Sequence, residues 1–103
     1  MTTVRNPAVA GMFYPANSQE LQSMLYNMLE HAELKGIKPR ALIAPHAGYI
    51  YSGEIAASAY KQLEPIKDNI HRVVLLGPSH RVPFIGCAVS KADYFRTPLG
   101  DIP

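Results

Sequence analysis

Ala41-Leu42-Ile43-Ala44-Pro45-His46-Ala47-Gly48-Tyr49 and, further along, Val73-Val74-Leu75-Leu76-Gly77-Pro78-Ser79-His80 decide how this chain is read. Each stretch is a short, branched apolar run bounded by Pro or Gly, the pattern of a strand buried on both faces. Each run ends in a histidine. Strands at about Arg40 to Ala44 and Arg72 to Leu76, joined through a helix, make a βαβ unit whose strands run parallel with a right-handed crossover. That arrangement carries His46 and His80 to the same edge of the sheet, the edge at which open α/β sheets place ligands.

The elements around these runs follow from local signals. Asn17 is an N-cap and Glu20, three residues on, completes a capping-box pattern. Leu21, Met24, Leu25, Met28, Leu29 and Ala32 then recur at helical spacing, and Gly36 is read as the stop. A second helix is expected to begin at Ser52 as N-cap. It carries Ile55, Ala56, Ala59, Tyr60 and Leu63 on one stripe and ends before Pro65. Residues 1–16 read as an irregular lead-in with a compact Gly11-Met12-Phe13-Tyr14-Pro15 segment. Short strands are expected at Gly86 to Ser90 and Tyr94 to Arg96, and the residues from Thr97 to Pro103 read as a loop. The fold class is α/β: a sheet with a parallel βαβ unit flanked by helices, an incomplete part of a larger α/β sandwich. A sheet with so few strands leaves edges uncovered, so self-association of the chain is expected.

Composition narrows the class. The chain has 103 residues, 48% hydrophobic and 17% charged, which describes one globular domain at most. A formal charge of +2, with scattered Lys and Arg, argues against a nucleic-acid surface. No apolar run approaches a membrane span and no signal-peptide core is visible, so a cytoplasmic location is the expectation. The single cysteine, Cys87, excludes an internal disulfide; its place between Gly86 and Ala88 suggests a buried, inert thiol.

Among residues that carry chemistry, His46 and His80 come first. Neutral imidazole is the commonest protein ligand for first-row metals, and a Pro-containing turn fixes the direction of each ring. The plainer reading is that each histidine hydrogen-bonds a loop carbonyl. Tyr49, Tyr51, Ser79 and Arg81 flank the two histidines and are candidates to line a pocket there, against the alternative of ordinary packing or surface charge. A carboxylate third ligand is available in principle from Glu54, Asp93 or Asp101. Each has a blander reading: Glu54 as a first-turn residue of the second helix, the two aspartates as turn residues. His31 and His71 read as solvent-facing or capping.

Four blocks taken together resemble the N-terminal part of the Memo-like proteins, a family named for a mediator of cell motility. They are Pro7 through Pro15, Leu42 through Tyr49 with Tyr51-Ser52-Gly53, Leu76-Gly77-Pro78-Ser79-His80, and Asp93 through Asp101. The resemblance makes residues 1–103 the N-terminal portion of a single Memo-like α/β domain. The family is similar in fold to class III, LigB-type extradiol dioxygenases, which use non-haem iron. In that comparison the two N-terminal metal-binding histidines fall on His46 and His80.

The resemblance therefore implies a metal-binding protein, iron(II) or copper as cofactor, and a redox metalloenzyme in its complete form. Further ligands would come from beyond the Thr97-Pro98-Leu99-Gly100-Asp101 block, and the isolated chain is expected to be inactive. The alternative is a non-catalytic binding or adaptor module that uses the same cleft for a peptide or a small molecule. Related microbial proteins also suggest a pathway link to radical-SAM and AMMECR-type proteins.

Overall fold

Helix α1 spans Ser18–His31 and is set by its own sequence. The Asn17 side chain accepts a hydrogen bond from the Glu20 amide at 3.0 Å, satisfying one of the free donors of the first turn. Leu21 faces inward and is only 3% exposed, while Met24, Leu25, Met28 and Leu29 are half-buried along the same stripe. The helix ends earlier than expected. Ala32 is its extended C-cap, and His31 Nδ1 lies 2.7 Å from the Asn27 carbonyl, so the ring occupies an acceptor of the last turn. Gly36, with φ of +71°, belongs to the connection that follows and does not stop the helix.

The computed structural model, which describes residues 1–103, starts α2 at Tyr49 and ends it at Tyr60. Gly48, not Ser52, is the N-cap, so Ser52 is a residue of the first helical turn and Glu54 lies beyond that turn. The Ser52 hydroxyl instead donates back to the Ala47 carbonyl at 3.1 Å. Beyond Tyr60 the chain tightens into a 3₁₀ helix over Lys61–Asn69, so helical structure runs through Pro65 although the α-helix has ended. Helices α1 and α2 pack against each other at Gly53: a Cβ there would meet Met28 Cε and Sδ at 2.7 Å. Ala57, 6% exposed, continues the small face of α2. Gln62, 7% exposed, bolts the connection after α1 to this pair. Its amide donates to the carbonyls of Glu33 at 2.8 Å and Ser58 at 3.1 Å, and its oxygen accepts from the Lys35 amide at 2.8 Å.

The sheet is small and uses the two ends of the chain. Strand β1 (Val4–Arg5) runs parallel to β2 (Tyr94–Thr97), which runs antiparallel to β3 (Gly100–Ile102). Both helices lie in the crossover between β1 and β2, so the fold is α/β with a mixed sheet. β2 falls where a strand was expected. β1 lies in the presumed irregular lead-in and β3 in the presumed terminal loop. Arg96 clamps the hairpin, its guanidinium donating from Nε and Nη2 to Asp101 Oδ1 at 2.9 Å and Oδ2 at 3.0 Å. Asp101 is thus a strand residue with a partner, not a turn residue. Asp93 ties the N-terminus down: its Oδ2 accepts from the Thr3 amide at 2.8 Å and the Thr3 hydroxyl at 3.0 Å.

The parallel pair is not the one the histidine-terminated runs suggest. Residues 40–44, 72–76 and 86–90 join no ladder. A strand exists through backbone bonds to a neighbour, and these runs have none. Their side chains are open as well: Ile43 is 99% exposed and Val74 84%, and every residue from 71 to 90 is exposed. Cys87 is accordingly exposed, not buried, because its segment packs on nothing. No helix is long and apolar enough to cross a membrane.

Replacing Leu21 by Ala should cost ~2–5 kcal/mol, because at 3% exposed it is the most enclosed large apolar side chain of the chain. The same change at half-buried Leu25 should cost less; denaturant melts of the two variants check the order. The Asp93 carboxyl is held below its usual value, chiefly by the Thr3 amide, then by the Thr3 hydroxyl, with desolvation opposing. A lowered carboxylate stabilises the fold above its unfolded pKa and loses that contribution as pH falls through the folded value. β1 should therefore loosen from β2 only below about pH 4. The Thr3 amide resonance should follow that transition in the native chain and become insensitive to it in Asp93→Ala.

Candidate functional site

His46 sits in the turn that delivers the chain into α2. Three contacts define that turn. The Tyr49 amide donates to the Phe13 carbonyl at 2.8 Å, the Ser52 hydroxyl holds the Ala47 carbonyl, and Gly48 lies close against the Phe13 backbone. A Cβ at Gly48 would sit 3.6 Å from the Phe13 oxygen, in ordinary van der Waals contact with the lead-in backbone. The compact lead-in around Phe13 is therefore the base on which the His46 turn rests. His80 lies in a second turn, where the Ser79 hydroxyl donates to the Val82 carbonyl at 2.6 Å.

The two imidazoles meet. His46 Nε2 and His80 Nε2 are 3.1 Å apart, the ring centroids 5.3 Å apart, and the ring planes inclined at 39°. One ring donates and the other accepts, the tautomers deciding which. Both rings are exposed, with their reactive nitrogens turned to each other. The separation also suits a shared ion: two nitrogens each about 2.0–2.1 Å from one metal lie roughly 2.8–3.4 Å apart, from cis to tetrahedral arrangements. No third His, Cys, Asp or Glu joins the pair. Asp93 and Asp101 are occupied by Thr3 and Arg96.

Behind His46 lies a cavity of about 410 Å³ between the two helices and the lead-in turn. Its wall is mainly apolar, with Phe13, Leu25 and Met28 among the apolar residues and Tyr14, His46 and Tyr49 among those that carry polar groups. The Tyr14 and Tyr49 rings pack at 5.4 Å between centroids. Burial raises the Tyr49 phenol above its usual value, with Tyr14 and then Tyr60 adding to the effect. Of the flanking residues named from sequence, only Tyr49 reaches this cavity. Tyr51, one half-turn on, is 82% exposed; Ser79 serves its own turn, and Arg81 is exposed. Phe13 and Tyr14 were not singled out, although the Gly- and Pro-bounded aromatic pair in the lead-in was the signal for them. His31 is bonded to its own helix and His71 is exposed, so neither approaches the pair.

Comparison with known proteins bears on the same residues. The family model described as "Memo-like protein" matches residues 5–103. "Protein MEMO1" of Danio rerio is 46% identical over 98 residues, 95% of this chain and 32% of that protein. "Protein MEMO1" of Homo sapiens is 44% identical over 98 residues, with the same shares covered. "Protein memo-1 homolog" of Caenorhabditis elegans is 45% identical over 98 residues, 95% of this chain and 27% of that protein. The chain spans about a third of the length of the curated relatives it matches. With the match running through both histidine turns, the lead-in and the Arg96 hairpin, the chain belongs to the Memo-like family.

Proposed function

We propose that this chain contributes two imidazole ligands, His46 and His80, to a redox-metal site, with iron(II) or copper as the ion. The observation that carries the reading is the 3.1 Å separation of the two Nε2 atoms, which face each other across two pinned turns. Bound there, such an ion would supply Lewis acidity and one-electron chemistry. The chain's own part is to hold two neutral donors at a fixed spacing and to offer an apolar wall beside them. Tyr49, with its raised phenol, stays protonated at neutral pH and is a hydrogen-bond donor on that wall. The remaining ligands are assigned to water or to sequence equivalent to the rest of the longer relatives.

A second reading rests on the cavity. About 410 Å³ of mainly apolar space beside His46 suits a small molecule or one peptide side chain, held without chemistry. Oxygen uptake by the iron-loaded full-length protein separates the two, since a binding module consumes none.

Titration of the chain with iron(II) or copper(II) in a calorimeter tests the metal reading. Weak one-to-one binding is expected, because two protein ligands leave most of the coordination shell to water. His46→Ala and His80→Ala should each lower the affinity at least about tenfold, a loss of ~1.4 kcal/mol. Binding that neither substitution changes would overturn it.

A further inference from the structure

Neither imidazole of the pair is held by a second side chain: the hydrogen bond each makes is to the other ring. Metal-ligating histidines ordinarily owe their ring direction to a partner on the far nitrogen. Here the direction has to come from the backbone of the two turns. For each turn one serine hydroxyl donates to a carbonyl of the turn that carries the histidine. Ser52 reaches back from the first turn of α2 to Ala47, the residue that follows His46, at 3.1 Å. Ser79, the residue that precedes His80, reaches forward to Val82 at 2.6 Å. Ser52 is 9% exposed, and it donates to a carbonyl that precedes the helix N-cap and so accepts no bond from the helix itself.

We propose that Ser52 and Ser79 are positioning residues that aim His46 and His80 at one another, one hydroxyl-to-carbonyl bond for each turn. The proposal deepens the metal reading and rests on it for its purpose, but the aiming itself exists in the metal-free chain. A serine is suited to this. Its short side chain bonds nearby backbone and competes with regular structure, so it can close an irregular turn at the mouth of a helix. The two serines act from opposite sides of their histidines, Ser52 on the C-terminal side of His46 and Ser79 on the N-terminal side of His80. Loss of either leaves one ring aimed and the other free.

The test is NMR of the metal-free chain, followed by cobalt(II) titration with the visible d–d absorption as readout. In the native chain a nuclear Overhauser effect should connect the two imidazole rings. Ser52→Ala and Ser79→Ala should each abolish it while contacts between Met28 and Gly53 persist, and Ser52→Thr and Ser79→Thr should restore it. Ser79 is exposed, so its alanine variant does not threaten the fold. Should Ser52→Ala unfold, Ser52→Cys, similar in size but a weak donor, carries the same two outcomes. Cobalt affinity should fall about tenfold in the alanine variants. A ring-to-ring effect that survives both alanine substitutions, or one absent from the native chain, overturns the proposal. A native chain that shows the effect but binds no cobalt leaves the aiming intact and rejects the metal reading alone.

Discussion

The contact between α1 and α2 is what the rest of the chain depends on. The most enclosed apolar side chains come from these two helices, Leu21 (3% exposed) from one and Ala57 (6%) from the other, and Gly53 allows the close approach to Met28. Burial of apolar area is the principal stabilising term available to a chain of this size, and here it is concentrated at one seam. The lead-in turn docks onto the start of α2 through the Tyr49 amide and the Phe13 carbonyl, and the connection after α1 is bolted to its end by Gln62. The His46 turn lies between these two attachments. Its position is therefore inherited from the helix pair, not from a sheet.

That dependence explains which parts of the fold could be read from residues alone. Helix α1 announces itself because every signal is local: a capping asparagine, an acid in the first turn and apolar residues three and four apart. The start of α2 is displaced because a serine inside a helix can resemble a cap in sequence, and only the backbone shows that Gly48 has that place. Ladder formation is not local. Residues 72–76 have the composition of a buried strand, yet nothing in them names a partner, and in this structure they lie exposed without one. Strands β1 and β3, of two and three residues, are too short for any periodicity to show.

The site divides in the same way. That His46 and His80 end matching runs was visible in sequence, and the structure brings their rings together without a ladder between those runs. The cavity behind His46 was not visible, because its walls come from the lead-in, α1 and α2 at once. Aromatic residues at positions 13 and 14 gain their meaning only when the chain folds back on Tyr49. Family membership spans both turns and the hairpin, while the chain covers 32% of the length of the Danio rerio relative.

The seam at Gly53 has a consequence for how this sequence can change. Met28 fills the space that a side chain at position 53 would need, so the two positions share one volume. Enlarging residue 53 alone forces Met28 aside, and shrinking residue 28 alone opens a void. The two substitutions together compensate, and their energies will not sum. Positions 28 and 53 are therefore coupled: the flexible end of Met28 can swing away from a small side chain at 53, whereas a large one there also calls for a smaller residue at 28.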